Sequence, residues 1–79
     1  MPRFYIDSDD GDRSFIDPDG FDLPNAETAR YLAMDALPDM VREKLPDGDH
    51  RRFTVTVRDQ TGTTLYKATL SLIAEWTDA

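Results

Sequence analysis

Apolar and polar residues alternate most regularly in the last third of the chain. Two runs of alternating apolar residues flank a polar turn at residues 59–62: Phe53, Val55 and Val57 before it, and Tyr66, Ala68, Leu70 and Leu72 after it. A period of two is typical of strands that bury one face. The pattern predicts a C-terminal β-hairpin with these residues in the core. Trp76 shares the parity of Leu72 and is predicted to fold over the edge of that core.

A helical period marks the middle of the chain. Apolar residues recur there at intervals of three and four: Ala29, Leu32, Ala33, Ala36, Leu37 and Met40. This spacing predicts one amphipathic helix. Asn25 is a suitable N-cap, and residues 45–48 (Leu-Pro-Asp-Gly) are predicted to end the helix. Because several residues of the stripe are alanine, the helix is expected to lie close to its partner.

Pro38 lies inside this predicted helix. Proline removes one backbone hydrogen bond and costs about 3 kcal/mol in a helix interior. It follows Ala29 by nine residues, which is about half a revolution at 3.6 residues per turn, so it is predicted to face solvent. Two interpretations remain open: a single kinked helix, which we favour, and a break into two short helices.

Two short extended segments precede the helix. Residues 3–7 are predicted to form a strand, and residues 13–17 are predicted to return beside it. The Asp-Gly pair at residues 10–11 is a strong signal for the hairpin turn between them. Phe15 and Ile16 are both apolar, so the alternation leaves open which of them faces inward. Pro18-Asp19-Gly20 is predicted to end the second strand.

The resulting order, ββαββ, predicts an α+β fold for residues 1–79 as a single domain. Its two layers are a four-stranded antiparallel sheet and one helix, kinked at Pro38, on one face of it. The other sheet face is predicted to be mostly polar with a few apolar residues: Tyr5, Thr54, Thr56, Leu65, Lys67, Thr69 and Ile73.

Charge and composition narrow the classes of partner. The chain has 16 acidic and 9 basic residues, for a net charge of -7. Nucleic-acid binding requires basic residues that neutralise phosphates, so no nucleic acid is expected as a partner. No apolar run approaches the roughly 20 residues that cross a bilayer, so no membrane is expected either. The N-terminus lacks signal-peptide features, which predicts a cytoplasmic location.

The acidic turn is the best candidate for a metal site. Asp7, Asp9, Asp10 and Asp12 surround Gly11, and hard cations prefer several carboxylate oxygens from one tight loop. However, their offsets differ from those of a calcium loop, and no downstream glutamate closes it. Aspartate and glycine are also the ordinary residues of turns, which is the interpretation we favour.

Catalytic chemistry has little support in the sequence. The chain has no cysteine, which also excludes disulfides. The single histidine, His50, lies in a polar segment, and no nucleophile-elbow motif is present. We therefore predict no catalytic residue and no cofactor.

Two functional hypotheses follow from these features. The first is a small non-catalytic interaction module that binds a protein partner or a second copy of itself, forming a homodimer. Its candidate surface consists of Tyr5, Leu65 and Ile73. The alternative is a metal-dependent enzyme or metal-binding protein that uses the turn from Asp7 to Asp12.

Several stretches of the chain resemble a known family. They are the opening Met-Pro-Arg-Phe-Tyr-Ile, residues 19–29 (Asp-Gly-Phe-Asp-Leu-Pro-Asn-Ala-Glu-Thr-Ala), and the segments 53–59 and 65–70. The family comprises small bacterial proteins, common in soil and plant-associated bacteria, and is catalogued as a domain of unknown function. The resemblance implies an uninterrupted helix, from which Pro38 departs, and it implies no activity.

A second resemblance covers less of the chain. Residues 13–37 are similar to the strand, turn and alanine-rich helix of the N-terminal domain of HicB-type antitoxins. The DNA-binding segment usually attached to that domain has no counterpart here. This likeness is an analogy of fold, and a fold does not fix a function.

Overall fold

The fold combines one helix with an antiparallel sheet of five strands. It is seen in a computed structural model that describes residues 1–46 and 48–77. The elements, in chain order, are β1 (Arg3–Asp9), β2 (Ser14–Phe15), β3 (Phe21–Asp22), α1 (Ala26–Lys44), β4 (His50–Arg58) and β5 (Thr64–Ile73). The α+β class is therefore confirmed. Asp47, in the predicted helix stop, lies outside the described residues.

The main sheet has the strand order β2-β1-β4-β5. Segment 14–22 runs back along β1, so that β2 pairs with the C-terminal end of β1 and β3 with its N-terminal end. The predicted C-terminal hairpin is present, with Phe53 opposite Leu70 and Val55 opposite Ala68. Residues directly opposite each other in an antiparallel pair share a face, so this register places both apolar runs on the helix side.

The N-terminal strands differ from the prediction. The return strand expected at residues 13–17 is only Ser14–Phe15, and β3 was not predicted, so the sheet has five strands instead of four. The physical reason is the turn at Asp17. Its carboxylate accepts hydrogen bonds from the N–H groups of Asp19 and Gly20, which turn the chain back toward β1 before a longer ladder forms.

The core lies between α1 and β4. Its buried apolar residues are Phe4, Ala29, Ala33, Leu37, Phe53, Val55 and Val57. Ala29 and Ala33 are fully buried, and their small side chains let the helix approach the sheet closely, as predicted. Partly buried residues surround this cluster, including Ile6, Met40 and Tyr66.

Three apolar residues that were predicted to be buried are exposed. Leu70 is 48% exposed and Leu32 is 36% exposed. The helix packs mainly over β4, so it covers the outer strand β5 only in part, and Leu32 lies at the opposite margin of the helix. Trp76 follows the end of β5 and is fully exposed, so the prediction that it folds over the core is wrong.

The helix ends agree with the sequence. The Asn25 side chain accepts hydrogen bonds from the N–H and the hydroxyl of Thr28, each at 2.9 Å. At the other end, the Leu45 N–H donates to the Val41 carbonyl at 2.9 Å. Helix α1 runs through Pro38 without a break, and Pro38 is exposed as predicted. The two-helix interpretation is wrong, and the kink stays a prediction.

Candidate functional site

Two aspartates form the turn between β1 and β2. The Asp9 carboxylate accepts hydrogen bonds from the Gly11 N–H and the Ser14 hydroxyl, both at 2.8 Å. The Asp10 carboxylate accepts from the N–H groups of Asp12 and Arg13, both at 2.9 Å. These bonds lower the pKa of Asp9, mainly through Gly11, and the pKa of Asp10, mainly through Arg13. Both side chains therefore act as acceptors that shape the turn.

Two positively charged side chains, Lys44 and Arg51, join this turn to the rest of the fold. Lys44, at the end of α1, places its Nζ 3.5 Å from the Asp10 carboxylate and 3.3 Å from the Asp12 carboxylate. Arg51, on β4, lies 3.2 Å from the Asp12 carboxylate and donates to the Asp10 carbonyl at 2.9 Å. Hydrogen bonds from Arg51 and then Lys44 lower the pKa of Asp12. The acidic turn thus connects the helix end to the sheet.

Asp7 is separate from the turn. Arg58 donates to both of its carboxylate oxygens, at 2.6 and 3.0 Å, and the Asp17 N–H donates to it at 3.0 Å. The four aspartates considered for metal binding are therefore divided between two hydrogen-bond networks. Across residues 1–46 and 48–77, no group of three or more acidic or histidine side chains is arranged to hold a metal ion.

Asp17 has a structural role that the sequence pattern did not predict. Only 9% exposed, it accepts hydrogen bonds from the N–H groups of Gly20 at 3.0 Å, Asp19 at 3.1 Å and Ile6 at 3.2 Å. Burial alone would raise the pKa of Asp17, but these three bonds and the charge of Arg58 lower it overall. The signal was present in Asp-Pro-Asp-Gly, since an aspartate side chain commonly bonds to backbone two residues ahead.

Of the three residues predicted to form an interaction surface, Ile73 lies apart from the other two. Tyr5 lies opposite Arg58, which lies opposite Thr64, the neighbour of Leu65. The guanidinium of Arg58 stands over the ring of Tyr5, with 5.0 Å from its carbon to the ring centroid. Leu65 and Ile73 lie near opposite ends of β5, about 26 Å apart at about 3.3 Å per residue. Within one chain, therefore, they do not make a continuous patch.

The outer edge of β5 is the longest open feature of the sheet. β5 spans ten residues and stands last in the strand order. In the described part of the chain, no strand pairs with its outer side. Leu65, Leu70 and Ile73 on this strand are all exposed. Such an edge presents unpaired N–H and C=O groups that another strand can bond.

An apolar groove of about 430 Å³ lies on the side of helix α1 that faces away from β5. Apolar side chains from α1, β1, β2 and β3 line most of it: Ile6, Phe15, Phe21, Leu32, Ala36 and Met40. The alternation of apolar residues did not decide which of Phe15 and Ile16 faces inward. In the structure, Phe15 faces the helix layer and Ile16 faces the open side of the sheet. The acidic residue that lines the groove, Asp17, accepts hydrogen bonds from the backbone N–H groups of Ile6 and Gly20.

The part of the chain that the structure describes contains no helix long and apolar enough to cross a membrane.

Comparison with known proteins identifies the family. No curated protein and no solved structure matches the chain. The likeness to HicB-type antitoxins stays a prediction. A family model described as "Domain of unknown function (DUF6894)" matches residues 3–71, which include all of the secondary structure except the last two residues of β5. The chain belongs to the DUF6894 family.

Proposed function

We propose that this domain is a small non-catalytic protein-interaction module that associates through the outer edge of β5, with a second copy of itself as the partner. The observation that carries the proposal is the open ten-residue edge strand, Thr64–Ile73. Backbone groups along such an edge can extend the sheet into another chain.

β5 carries little of the protection that edge strands usually have. Proteins commonly shield such edges with proline, charged side chains or bulges. β5 contains no proline, and Lys67 is its single charged residue. The one irregularity in its pairing with β4 lies between Val57 and Arg58, near the start of β5. The long remainder is regular, and this supports pairing with another strand.

Exposed apolar side chains along β5 support the same proposal. Leu65 and Leu70 are 45% and 48% exposed, and Ile73 is 73% exposed. Burying apolar surface is worth about 25 cal/mol per Å², so covering these side chains would add to the backbone hydrogen bonds of a paired edge. Two-fold symmetric dimers are the commonest form of self-association.

The charge distribution permits two copies to meet at this edge. The net charge is -7, but β5 contains no acidic residue. The acidic turn lies on β1 and β2, beyond β4 in the sheet order. Because neighbouring strands are about 4.8 Å apart, β1 lies about 10 Å from β5 within each copy. Edge pairing therefore keeps the two acidic turns away from each other.

The contacts of the acidic turn favour a structural role over metal chemistry. Its carboxylates accept hydrogen bonds from Gly11, Ser14 and Arg13 and pair with Lys44 and Arg51. A metal ion would have to displace these partners. No observation in the described residues favours the metal-dependent alternative.

Light scattering behind size exclusion tests this proposal at tens of micromolar protein. We expect a mass of twice the 9.0 kDa chain. Leu70→Lys, which places a charge beside the edge, should shift the mass toward that of the monomer. Met34→Lys is the matched control, because Met34 is 41% exposed but lies on α1. A wild-type mass of 9.0 kDa, or equal effects of the two substitutions, would contradict the proposal.

A further inference from the structure

We infer that two copies pair β5 against β5 about a two-fold axis at Thr69. This inference rests on the proposed function and adds the register, which a mass measurement does not determine. It specifies which side chains meet across the interface, and hence which chemical cross-links can form.

Symmetry leaves few registers for such a pair. In a continuous antiparallel sheet, side chains directly opposite each other lie on the same face. Two identical strands related by an axis perpendicular to the sheet must therefore place some residue opposite its own copy. The pairing of β5 with β4 skips Leu65, the extra residue of a bulge, so the regular part of β5 is residues 66–73. Axes at Thr69 and at Leu70 give the longest overlaps within it, residues 66–72 and residues 67–73 respectively. Because these overlaps are equal in length, the side chains decide between them.

The open face of the sheet favours the axis at Thr69. This register places Ile73 of each copy next to the bulged Leu65 of the other, at the end of the paired segment. These two residues are exposed and far apart within one chain, yet they meet twice across the axis. An axis at Leu70 instead places Ile73 opposite Lys67 and leaves Leu65 beyond the paired segment.

The helix-side face is also compatible with this register. Leu70 of one copy lies opposite Ala68 of the other, and Leu72 lies opposite Tyr66. Within one copy, the pairing of β5 with β4 places all four of these side chains on the helix side, opposite core residues or Arg51. The half-exposed Leu70 thereby gains an apolar neighbour. This contact explains why an apolar residue stands where the helix does not cover the strand.

The register also avoids repulsion between like charges. Lys67, the one charged residue of β5, lies opposite Ser71 of the other copy. The two lysines are then offset by four residues, or about 13 Å along the strands. At physiological ionic strength the Debye length is about 8 Å, so their repulsion is largely screened.

A single-cysteine variant tests this register, since the chain has no native cysteine. Opposite Cα atoms in antiparallel pairs are about 4.5–5.5 Å apart, within the range of about 4.4–6.8 Å that disulfides span. Thr69→Cys should therefore oxidise to a species of twice the 9.0 kDa chain mass on non-reducing mass analysis. Ser71→Cys is the control, because it lies on the same exposed face but about 13 Å from its own copy.

A mixed pair makes the test independent of any one variant. Lys67→Cys and Ser71→Cys, mixed before oxidation, should form a hetero-disulfide, because the register places these positions opposite each other. If the wild type is a dimer but Thr69→Cys does not cross-link faster than Ser71→Cys, the register is wrong while the proposed function stands. A wild-type mass of 9.0 kDa under all conditions overturns both.

Discussion

At the scale of single residues, aspartate side chains organise the N-terminal third of the chain. Asp17 accepts three backbone N–H groups, while Asp9 and Asp10 accept donors within their own turn. Strands β2 and β3 have only two residues each, so they supply few backbone hydrogen bonds between strands. The hydrogen bonds to these carboxylates supplement them. The acidic composition that suggested a metal site is thus explained by turn formation.

The three bonds of Asp17 can be tested by removing one acceptor. In Asp17→Asn, the side-chain oxygen can still accept from Asp19 and Gly20, but the new amide group faces the Ile6 N–H. An unsatisfied, partly buried donor costs about 1–3 kcal/mol, so the free energy of unfolding in urea should fall by about that amount. Asp22→Asn is the control, because Asp22 pairs with Arg3 at an exposed site. Equal losses in the two variants would contradict the role of Asp17.

Acid should destabilise the fold through these same carboxylates. The folded-state pKa values of Asp9, Asp10, Asp12 and Asp17 lie below the ordinary value of 3.8. A carboxyl with a lowered folded-state pKa stabilises the protein above its unfolded-state pKa and loses that contribution as pH falls through the folded-state value. Thermal stability should therefore fall as pH drops below about 3.8, and Asp17→Asn should show a shallower decline. Parallel declines would contradict this assignment.

Gly20 is required by both its backbone conformation and its surroundings. Its φ is +75°, and a Cβ atom there would lie 2.9 Å from the Phe4 carbonyl oxygen. Gly62 has a φ of +88°, but no atom lies within 4 Å of the corresponding position. Alanine at Gly62 should cost about 1–2 kcal/mol from the left-handed conformation alone, and alanine at Gly20 should cost more. Equal shifts in the thermal midpoint would show that the close approach to Phe4 does not matter.

At the scale of elements, the long periodic segments were predictable and the short ones were not. Asn25 marked the helix start, and the alternation from Phe53 to Leu72 identified the C-terminal hairpin. β3 gave no such signal, because a two-residue strand has no period and forms only where the Asp17 turn directs it. Alternation also assigns a side chain to a face without indicating how far the helix covers that face, which is why Leu70 was misjudged.

The candidate interaction surface could be predicted only in part, because a local pattern does not contain the arrangement of distant elements. Exposed strand residues such as Leu65 and Ile73 were identified as candidates from their parity. Their distance from each other depends on strand length and on the position of β5 at the sheet edge, which the local pattern does not contain. The partners of the acidic turn, Lys44 and Arg51, come from distant parts of the chain and were not foreseen.

The helix allows a direct test of proline's cost. Pro38 is exposed within α1 and has no N–H to donate to the carbonyl of Met34, four residues earlier. Pro38→Ala should raise the free energy of unfolding by about 1–3 kcal/mol, because it restores that bond and removes the clash of the ring. Asp35→Ala, at an exposed neighbouring position, should change stability by less than about 1 kcal/mol. A loss of stability in Pro38→Ala would contradict the single continuous helix.

At the scale of the whole molecule, the net negative charge opposes association, while the open edge of β5 favours it. Each copy carries a net charge of -7, so two copies repel when they associate. Salt screens that repulsion, with a Debye length of about 30 Å at 0.01 M and about 10 Å at 0.1 M. The proposed dimer should therefore dissociate at lower protein concentration in 0.1 M salt than in 0.01 M salt, as measured by sedimentation. Weaker association at higher salt would show that attraction between charges holds the copies together instead.

The central claim, that β5 pairs through its outer edge, is tested most directly by amide hydrogen exchange followed by NMR at several protein concentrations. In an antiparallel edge strand, alternate N–H groups point away from the sheet. At high concentration, the outward N–H groups of β5 should be protected, and dilution should remove that protection while the amides of β4 between β1 and β5 retain theirs. Rapid exchange of the outward β5 amides at every concentration would contradict the account.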